Sequence, residues 1–137
     1  MKWKINKNNS VNINVTNYSI NWSKKAPSKG AQSVKDFLAI YCKHDSLGEE
    51  LLIPRTKLRI DYINFTKNFA IEFDGLQHSK FSKFMHGSRV SGFLSSMKRD
   101  TKKEALLELN GFKVVHITDK DLPLTPKWFE DNYEIYL

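Results

Sequence analysis

The chain of 137 residues is long enough for one domain with a modest core. Hydrophobic residues make up 40% and charged residues 27%, a balance that is typical of a globular protein and excludes a disordered one. Lysine and arginine number 22 against 15 acidic residues, and the net charge of +7 favours a polyanionic partner. Many soluble proteins carry the same excess, so charge alone decides nothing.

No apolar stretch is long enough to cross a membrane, and the N-terminal residues lack the apolar segment of a signal peptide. Cys42 is the single cysteine, which excludes an internal disulfide and a zinc site built on several cysteines. We therefore expect a cytoplasmic protein in reducing surroundings.

Apolar and polar residues alternate over residues 11–15 and 18–22, which predicts two short strands that form a hairpin turning at Thr16-Asn17. Pro27 and Gly30 then break the pattern. A helix is predicted from apolar residues spaced along one face: Val34, Phe37, Leu38, Tyr41 and Cys42. Ser33 and Asp36 are spaced like a capping box at its start.

Three consecutive strands are predicted next, over residues 51–53, 58–65 and 69–73, and short turns at 55–57 and 66–68 make them a meander. A second helix is predicted over residues 92–110, with an apolar stripe of Phe93, Met97, Leu106 and Leu109. Gly111 closes this helix, and residues 112–117 form a further strand.

Pro123 and Pro126 bracket a turn near the C-terminus, and Thr125-Pro126 opens a last short helix that contains Trp128 and Phe129. The predicted fold class is α/β, in the order helix, three-strand meander, helix, strand. We expect one domain over residues 1–137, with an N-terminal strand extension at 1–27, a core at 31–118 and a C-terminal tail at 119–137.

Acidic residues lie on two neighbouring strands of the meander, Asp61 near the middle of one and Glu72 near the end of the next. Asp61 and Glu72 reach the same edge of the sheet, and Asp74 shares a face with Glu72 by the period of two. Gly75 permits a sharp turn of the backbone at the end of the strand, which brings His78 close to these acids. Because clustered carboxylates repel one another, a proton or a cation must neutralise them, and hard oxygen ligands favour Mg²⁺ or Mn²⁺.

The order of these residues resembles the PD-(D/E)XK nuclease superfamily. The resemblance covers about residues 31–118, and it rests on Asp61, residues 71–75 (IEFDG) with His78, residues 98–100 (KRD) and residues 111–115 (GFKVV). More narrowly, the chain resembles the branch of the very short patch repair endonucleases and related small phage- or intron-encoded endonucleases. The likeness implies a restriction-endonuclease-like core with a mixed central sheet flanked by helices.

The resemblance also implies roles for particular residues. Asp61 corresponds to the metal-binding aspartate and Glu72 to the second acid, and Asp74 stands where the superfamily usually has a lysine. The branch lacks that lysine too and uses a histidine, which favours His78. Glu50 stands where an acid is often supplied near the first helix. The implied catalytic set is Asp61, Glu72, His78, Asp74, Asp100 and Glu50, and the implied metal ligands are Asp61, Glu72 and Glu50.

The predicted function is a DNA endonuclease that hydrolyses phosphodiester bonds with Mg²⁺ or Mn²⁺ as cofactor. A cation held by Asp61 and Glu72 would stabilise charge on the phosphate, and His78 would accept the proton of the attacking water near neutral pH. Basic and polar residues, interleaved with Phe81 and Phe84, are candidates for binding DNA: Gln77, Lys80, Lys83, Arg89, Lys98, Arg99, Lys102 and Lys103.

Several alternatives stay open. Asp61 can be half of a surface pair with Arg59, Asp74-Gly75 can be a plain turn, and His116 can be a satisfied, partly buried histidine. We prefer Glu50 to Glu49 because alternation turns Glu49 to the other side of the strand.

The competing function is a catalytically silent nucleic-acid-binding module, in which the acids only pair with arginine and lysine. The acids lack an evident basic partner within the strands apart from Arg59, which argues against this alternative. DNA specificity stays open. A homodimer is plausible, with residues 11–22 or Trp128-Phe129 at its interface, and a phage-encoded chain would act in the host cytoplasm.

Overall fold

The computed structural model describes residues 1–75 and 101–137. Its strands and helices, in chain order, are β1 (Lys2–Lys4), β2 (Ser10–Asn12), α1 (Lys29–Tyr41), β3 (Leu47–Leu52), β4 (Arg59–Asn64), β5 (Phe69–Gly75), α2 (helical at residues 101–109), β6 (Lys113–Thr118) and α3 (Pro126–Tyr133). Strands β3, β4, β5 and β6 form one sheet in that order. The first three are antiparallel neighbours, and β6 runs parallel to β5. The predicted α/β class, the meander and the mixed sheet are therefore confirmed.

Helix α1 begins earlier than the sequence pattern predicted. Ser28 is its N-cap, because the Ser28 side chain accepts a hydrogen bond from the Ala31 amide at 3.1 Å. The predicted capping box of Ser33 and Asp36 is wrong, since both residues lie inside the helix. Four of the five predicted apolar positions are buried, but Tyr41 is exposed at the end of the helix.

The N-terminal hairpin is formed by different residues from those predicted. Strand β1 pairs antiparallel with β2, while Val15–Tyr18 form a 3₁₀ turn. The Asn14 side chain begins this turn by accepting from the Thr16 amide, so no hairpin turns at residues 16–17. Trp3 of β1 is fully buried and stacks on Phe112, which ties the hairpin to the sheet.

The second half of the chain follows the predicted order. Gly111 closes α2 with a φ of 84°, which favours glycine. The fully buried residue of α2 is Leu107, which the predicted stripe omitted, and the predicted Phe93 and Met97 lie outside the described residues. Helix α3 is capped by the Thr125 side chain with proline at its start, as predicted.

The two faces of the sheet are covered by different elements. Helices α1 and α3 pack on one face through a core that includes Val34, Phe37 and Phe129. The hairpin and α2 cover the other face through a core that includes Trp3 and Leu107. Because Phe129 is fully buried within the chain, the predicted dimer interface at this residue is wrong. Within residues 1–75 and 101–137, no helix has the length and apolar character to cross a membrane.

Candidate active site

Asp61 and Glu72 meet where strands β4 and β5 separate. The last paired residues of the two strands are Tyr62 and Ile71, and Asp61 and Glu72 lie one step beyond them. There the Asp61 side chain replaces the backbone pairing, since its Oδ2 accepts a hydrogen bond from the Phe73 amide at 2.9 Å. The charge of Asp61 acts on the Glu72 carboxyl group, because the two side chains are near neighbours. The two acids that the sequence suggested do come together.

Burial is the main influence on the ionisation of this pair. It raises the pKa of Asp61, although the hydrogen bond from the Phe73 amide opposes the rise. Burial and then the charge of Asp61 raise the pKa of Glu72 to about 8, although nearby Lys103 opposes the rise. Near neutral pH the two carboxyl groups therefore keep a proton between them.

Lys103 of α2 is the cation at this pair. Its Nζ lies 3.2 Å from both Oε1 and Oε2 of Glu72, and the two side chains are only 17% and 12% exposed. The sequence analysis placed Lys103 among the DNA-binding residues, and it missed this contact because residue separation along the chain does not show which strand α2 packs against. Glu72 thus has a basic partner, but this partner lies on α2 and not within the strands, to which the prediction was confined.

A second group of charged side chains joins α2 to the sheet beside the first. His116 Nδ1 of β6 lies 3.4 Å from Asp74 Oδ2, and His116 Nε2 contacts Glu104 Oε1 of α2. The hydrogen bond to Asp74, with that to Glu104, raises the pKa of His116 to about 9 even though burial opposes the rise. His116 is thus a partly buried, satisfied histidine, as its position in an apolar strand suggested, and Asp74 has a partner.

Arg59, the other candidate partner, does not pair with Asp61. Its Nη1 donates instead to the backbone oxygen of Glu50 at 3.3 Å.

An open cleft of about 570 Å³ runs along the α1 side of this cluster. A lysine-rich segment before α1 lines it together with five acids: Glu49, Glu50, Asp61, Asp74 and Asp119. Gly30 allows the close approach of the Phe73 ring, because a Cβ atom at residue 30 would stand 2.2 Å from Phe73 Cζ. The cleft gives Asp61 and Asp74 an opening to solvent, whereas Glu72 and Lys103 are not among its lining residues.

Glu49 and Glu50 both lie in β3 and line this cleft, but their surroundings differ. Glu49 Oε2 is 3.0 Å from Nζ of the buried Lys35, and Glu49 Oε1 accepts from the Asn21 amide. Glu50 has a φ of 49°, and its exposed side chain is 3.6 Å from Lys24. This backbone irregularity interrupts the alternation on which the preference for Glu50 rested.

Within the described residues, no group of three or more His, Cys, Asp or Glu side chains is arranged to hold a metal ion. Glu50 is therefore not gathered with Asp61 and Glu72 into one three-carboxylate group. Lys102 is exposed on α2. The other predicted site residues lie outside the part of the chain that the structure describes: His78, Asp100, Gln77, Lys80, Lys83, Arg89, Lys98 and Arg99.

No protein family, curated protein or solved structure matches this chain. The functional argument rests on the side chains of the site itself.

Proposed function

We propose that the chain is a metal-dependent DNA endonuclease of the PD-(D/E)XK type, with Asp61, Glu72 and Lys103 at its reaction centre. The observation that carries the proposal is the position of Asp61 and Glu72 beside one another where β4 and β5 separate, both partly buried and both with a raised pKa. A protein tolerates such a pair at a cost in stability, and paired acids with displaced pKa values are typical of catalytic sites.

The donor set fits Mg²⁺ or Mn²⁺. In sites of this kind Mg²⁺ is held by one or two carboxylates, and waters and substrate phosphates complete its shell. Asp61 and Glu72 supply two hard oxygen donors, so a third carboxylate is not required. When bound, the cation would polarise the phosphate and lower the pKa of a coordinated water. Glu72 must release its proton before it can act as a ligand, because only the carboxylate binds a hard cation.

Each side chain of the centre has a separate task. Asp61 is held in orientation by the hydrogen bond from the Phe73 amide, and it lines the cleft. Lys103, which contacts both Glu72 oxygens, would supply an ammonium group that stabilises negative charge on the phosphate in the transition state. It therefore takes the role that a lysine two residues after Glu72 would serve, since that position is Asp74. His78 remains the predicted proton acceptor.

The net charge of +7 agrees with a nucleic acid partner, because it attracts a polyanion over long range. We propose DNA as that partner and the cytoplasm as the site of action. A homodimer would be needed for symmetric cleavage of both strands, and a monomer would nick.

The decisive experiment is plasmid cleavage by the full chain with Mg²⁺ or Mn²⁺, and with EDTA instead. Asp61→Asn and Glu72→Gln should abolish cleavage, because each removes a charged donor while keeping the side-chain volume. Asp131→Asn is the matched control, since Asp131 is an exposed acid on α3. Each variant is first checked for a cooperative thermal transition. Wild-type cleavage rates in both site variants, or equal cleavage in EDTA, would refute the proposal.

A catalytically silent nucleic-acid-binding module is the second candidate. It is favoured by the contacts of Lys103 with Glu72 and of His116 with Asp74, which neutralise acids without any metal. Thermal melting with Mn²⁺ separates the two functions. A true site stabilises the folded chain by mass action, by about 2.7 kcal/mol at a hundred times Kd, and so raises the melting temperature, and Asp61→Asn should remove the rise. A silent module shows no such Asp61-dependent rise.

A further inference from the structure

We propose that Lys24, Lys25 and Lys29 bind the phosphodiester backbone of DNA beside the reaction centre, an inference that rests on the proposed function. These three lysines, named here the lysine wall, line the same cleft as Asp61 and Asp74. A strand that places one phosphate at the acids would therefore pass its neighbouring phosphates along the lysine wall. The sequence analysis had placed all DNA contacts after Gly75.

The ammonium groups of the lysine wall are available to a ligand. All three lysines are exposed. Lys24 faces Glu50 at 3.6 Å, with both side chains about 60% exposed, and surface pairs of this kind contribute little. Within residues 1–75 and 101–137, Lys25 and Lys29 form no ion pair. Exchange of counterions for phosphates therefore breaks no strong contact.

Most of the acids that line the cleft have partners other than the lysine wall. Asp61 accepts from the Phe73 amide, Asp74 is paired with His116, and Glu49 is paired with Lys35. Glu50 faces Lys24, and Asp119 also lines the cleft. Lys25 and Lys29 therefore remain to attract a polyanion that enters the cleft.

The backbone under the lysine wall is fixed by buried contacts. Lys35 Nζ donates to the backbone oxygen of Lys24 at 2.7 Å and to Glu49 at 3.0 Å. The Ala26 amide donates to Gln32 Oε1 at 2.8 Å. These bonds join the segment to α1 and β3, so the lysines are held at one wall of the cleft before any ligand arrives, which lowers the cost of binding.

Binding of a fluorescently labelled DNA duplex to the full chain, measured by anisotropy in EDTA, tests the inference without any cleavage. The variant Lys24→Gln/Lys25→Gln/Lys29→Gln is compared with Lys7→Gln/Lys43→Gln/Lys127→Gln, which removes the same charge from exposed lysines that do not line the cleft. At about 0.1 M salt the first variant should lose on the order of 10- to 100-fold in affinity, and its salt slope should fall by about 2 to 3. The control should lose far less.

Two results would overturn the inference: no binding by the wild type, or an equal loss in the two triple variants. The second leaves the proposed function intact, because Asp61-dependent cleavage is measured separately. Failure of the proposed function instead shows as wild-type binding that depends on the lysine wall, without metal-dependent cleavage.

Discussion

Lys103 Nζ lies 3.2 Å from each oxygen of the Glu72 carboxyl group, yet the pKa of Glu72 is raised to about 8. The ammonium group opposes this rise but does not cancel it, because burial and the charge of Asp61 both act the other way. The contact thus reduces the cost of keeping two carboxyl groups together in a shielded place. Ion pairing here serves the site more than the stability of the fold.

The first prediction concerns the free energy of unfolding without metal. Between pH 4.5 and 8 the folded chain keeps a proton on Glu72 that the unfolded chain has released. This contribution to stability is complete below pH 4.5 and is lost as the pH rises through about 8. Glu72→Gln should flatten the decline by roughly 2–4 kcal/mol. Urea unfolding in EDTA from pH 4.5 to 8 measures the free energy of unfolding of both proteins.

The comparison of the two curves reports on Glu72 together with Asp61, whose titration is coupled to it, since the groups far from this pair are common to both proteins. Glu108→Gln, on the exposed side of α2, is the matched control and should follow the wild type. Parallel curves for wild type and Glu72→Gln would contradict the raised pKa.

The second prediction concerns His116, which Asp74 and Glu104 hold in its charged form. Its pKa rises from 6.5 to about 9 on folding, so its contribution to stability is complete below pH 6.5 and is lost as the pH rises through about 9. His116→Gln should remove that loss. The side chain is 39% exposed, so solvent screening limits the effect to about 1 kcal/mol.

NMR titration of the imidazole and thermal melting from pH 6 to 9 measure the pKa and the stability of the same protein. His44→Gln serves as the control, because His44 is exposed in the loop after α1. A His116 that titrates near its ordinary pKa of about 6.5 would defeat this prediction.

Much of the sheet could be predicted because its signals are local. Residues 51–73 carry apolar strands separated by short polar turns, and that pattern alone sets the order of a meander. The meeting of Asp61 and Glu72 follows from this order, since antiparallel neighbours joined by a short turn bring fixed positions opposite one another. The start of helix α3 could also be predicted from local signals, because the N-cap residue Thr125 is followed directly by Pro126.

The incorrect predictions have different causes. Strand β2 pairs with β1, which precedes it across a short loop rich in asparagine, and the alternation at residues 11–15 does not show on which side the partner strand lies. The contact of Lys103 with Glu72 depends on how α2 packs, which the apolar stripe of one helix does not determine. The left-handed φ of Glu50 overrides the alternation expected of a strand.

The third prediction concerns Gly30, where a methyl group has no room. In Gly30→Ala the new Cβ would stand 2.2 Å from Phe73 Cζ and 2.7 Å from Asp119 Oδ1. Overpacking of this kind costs about 1–3 kcal/mol, and displacement of Phe73 disturbs the amide that orients Asp61. We therefore expect loss of both stability and cleavage, measured by urea unfolding and by plasmid assay.

Gly111→Ala is the control for this substitution. Its φ of +84° makes alanine strained, but a Cβ there meets nothing within 4 Å, so stability should fall while cleavage is retained. Equal cleavage by the two alanine variants would contradict a special role for the Gly30 and Phe73 contact.

The fourth prediction concerns Lys35, a buried lysine on α1 whose ion pair with Glu49 is 2% and 16% exposed. Lys35→Met keeps the length of the side chain but leaves Glu49 without its cation and the Lys24 backbone oxygen without its donor. Removal of one member of a buried pair costs about 3–5 kcal/mol, whereas Lys35→Met/Glu49→Gln should recover much of the loss, because no unpaired charge remains. Lys127→Met, at an exposed position, controls for the substitution itself.

The double variant should still bind DNA less tightly than the wild type, since the backbone under Lys24 loses its anchor to α1. Anisotropy and urea unfolding on the same four proteins check both effects, and a single variant as stable as the control would show that the pair is not a structural anchor.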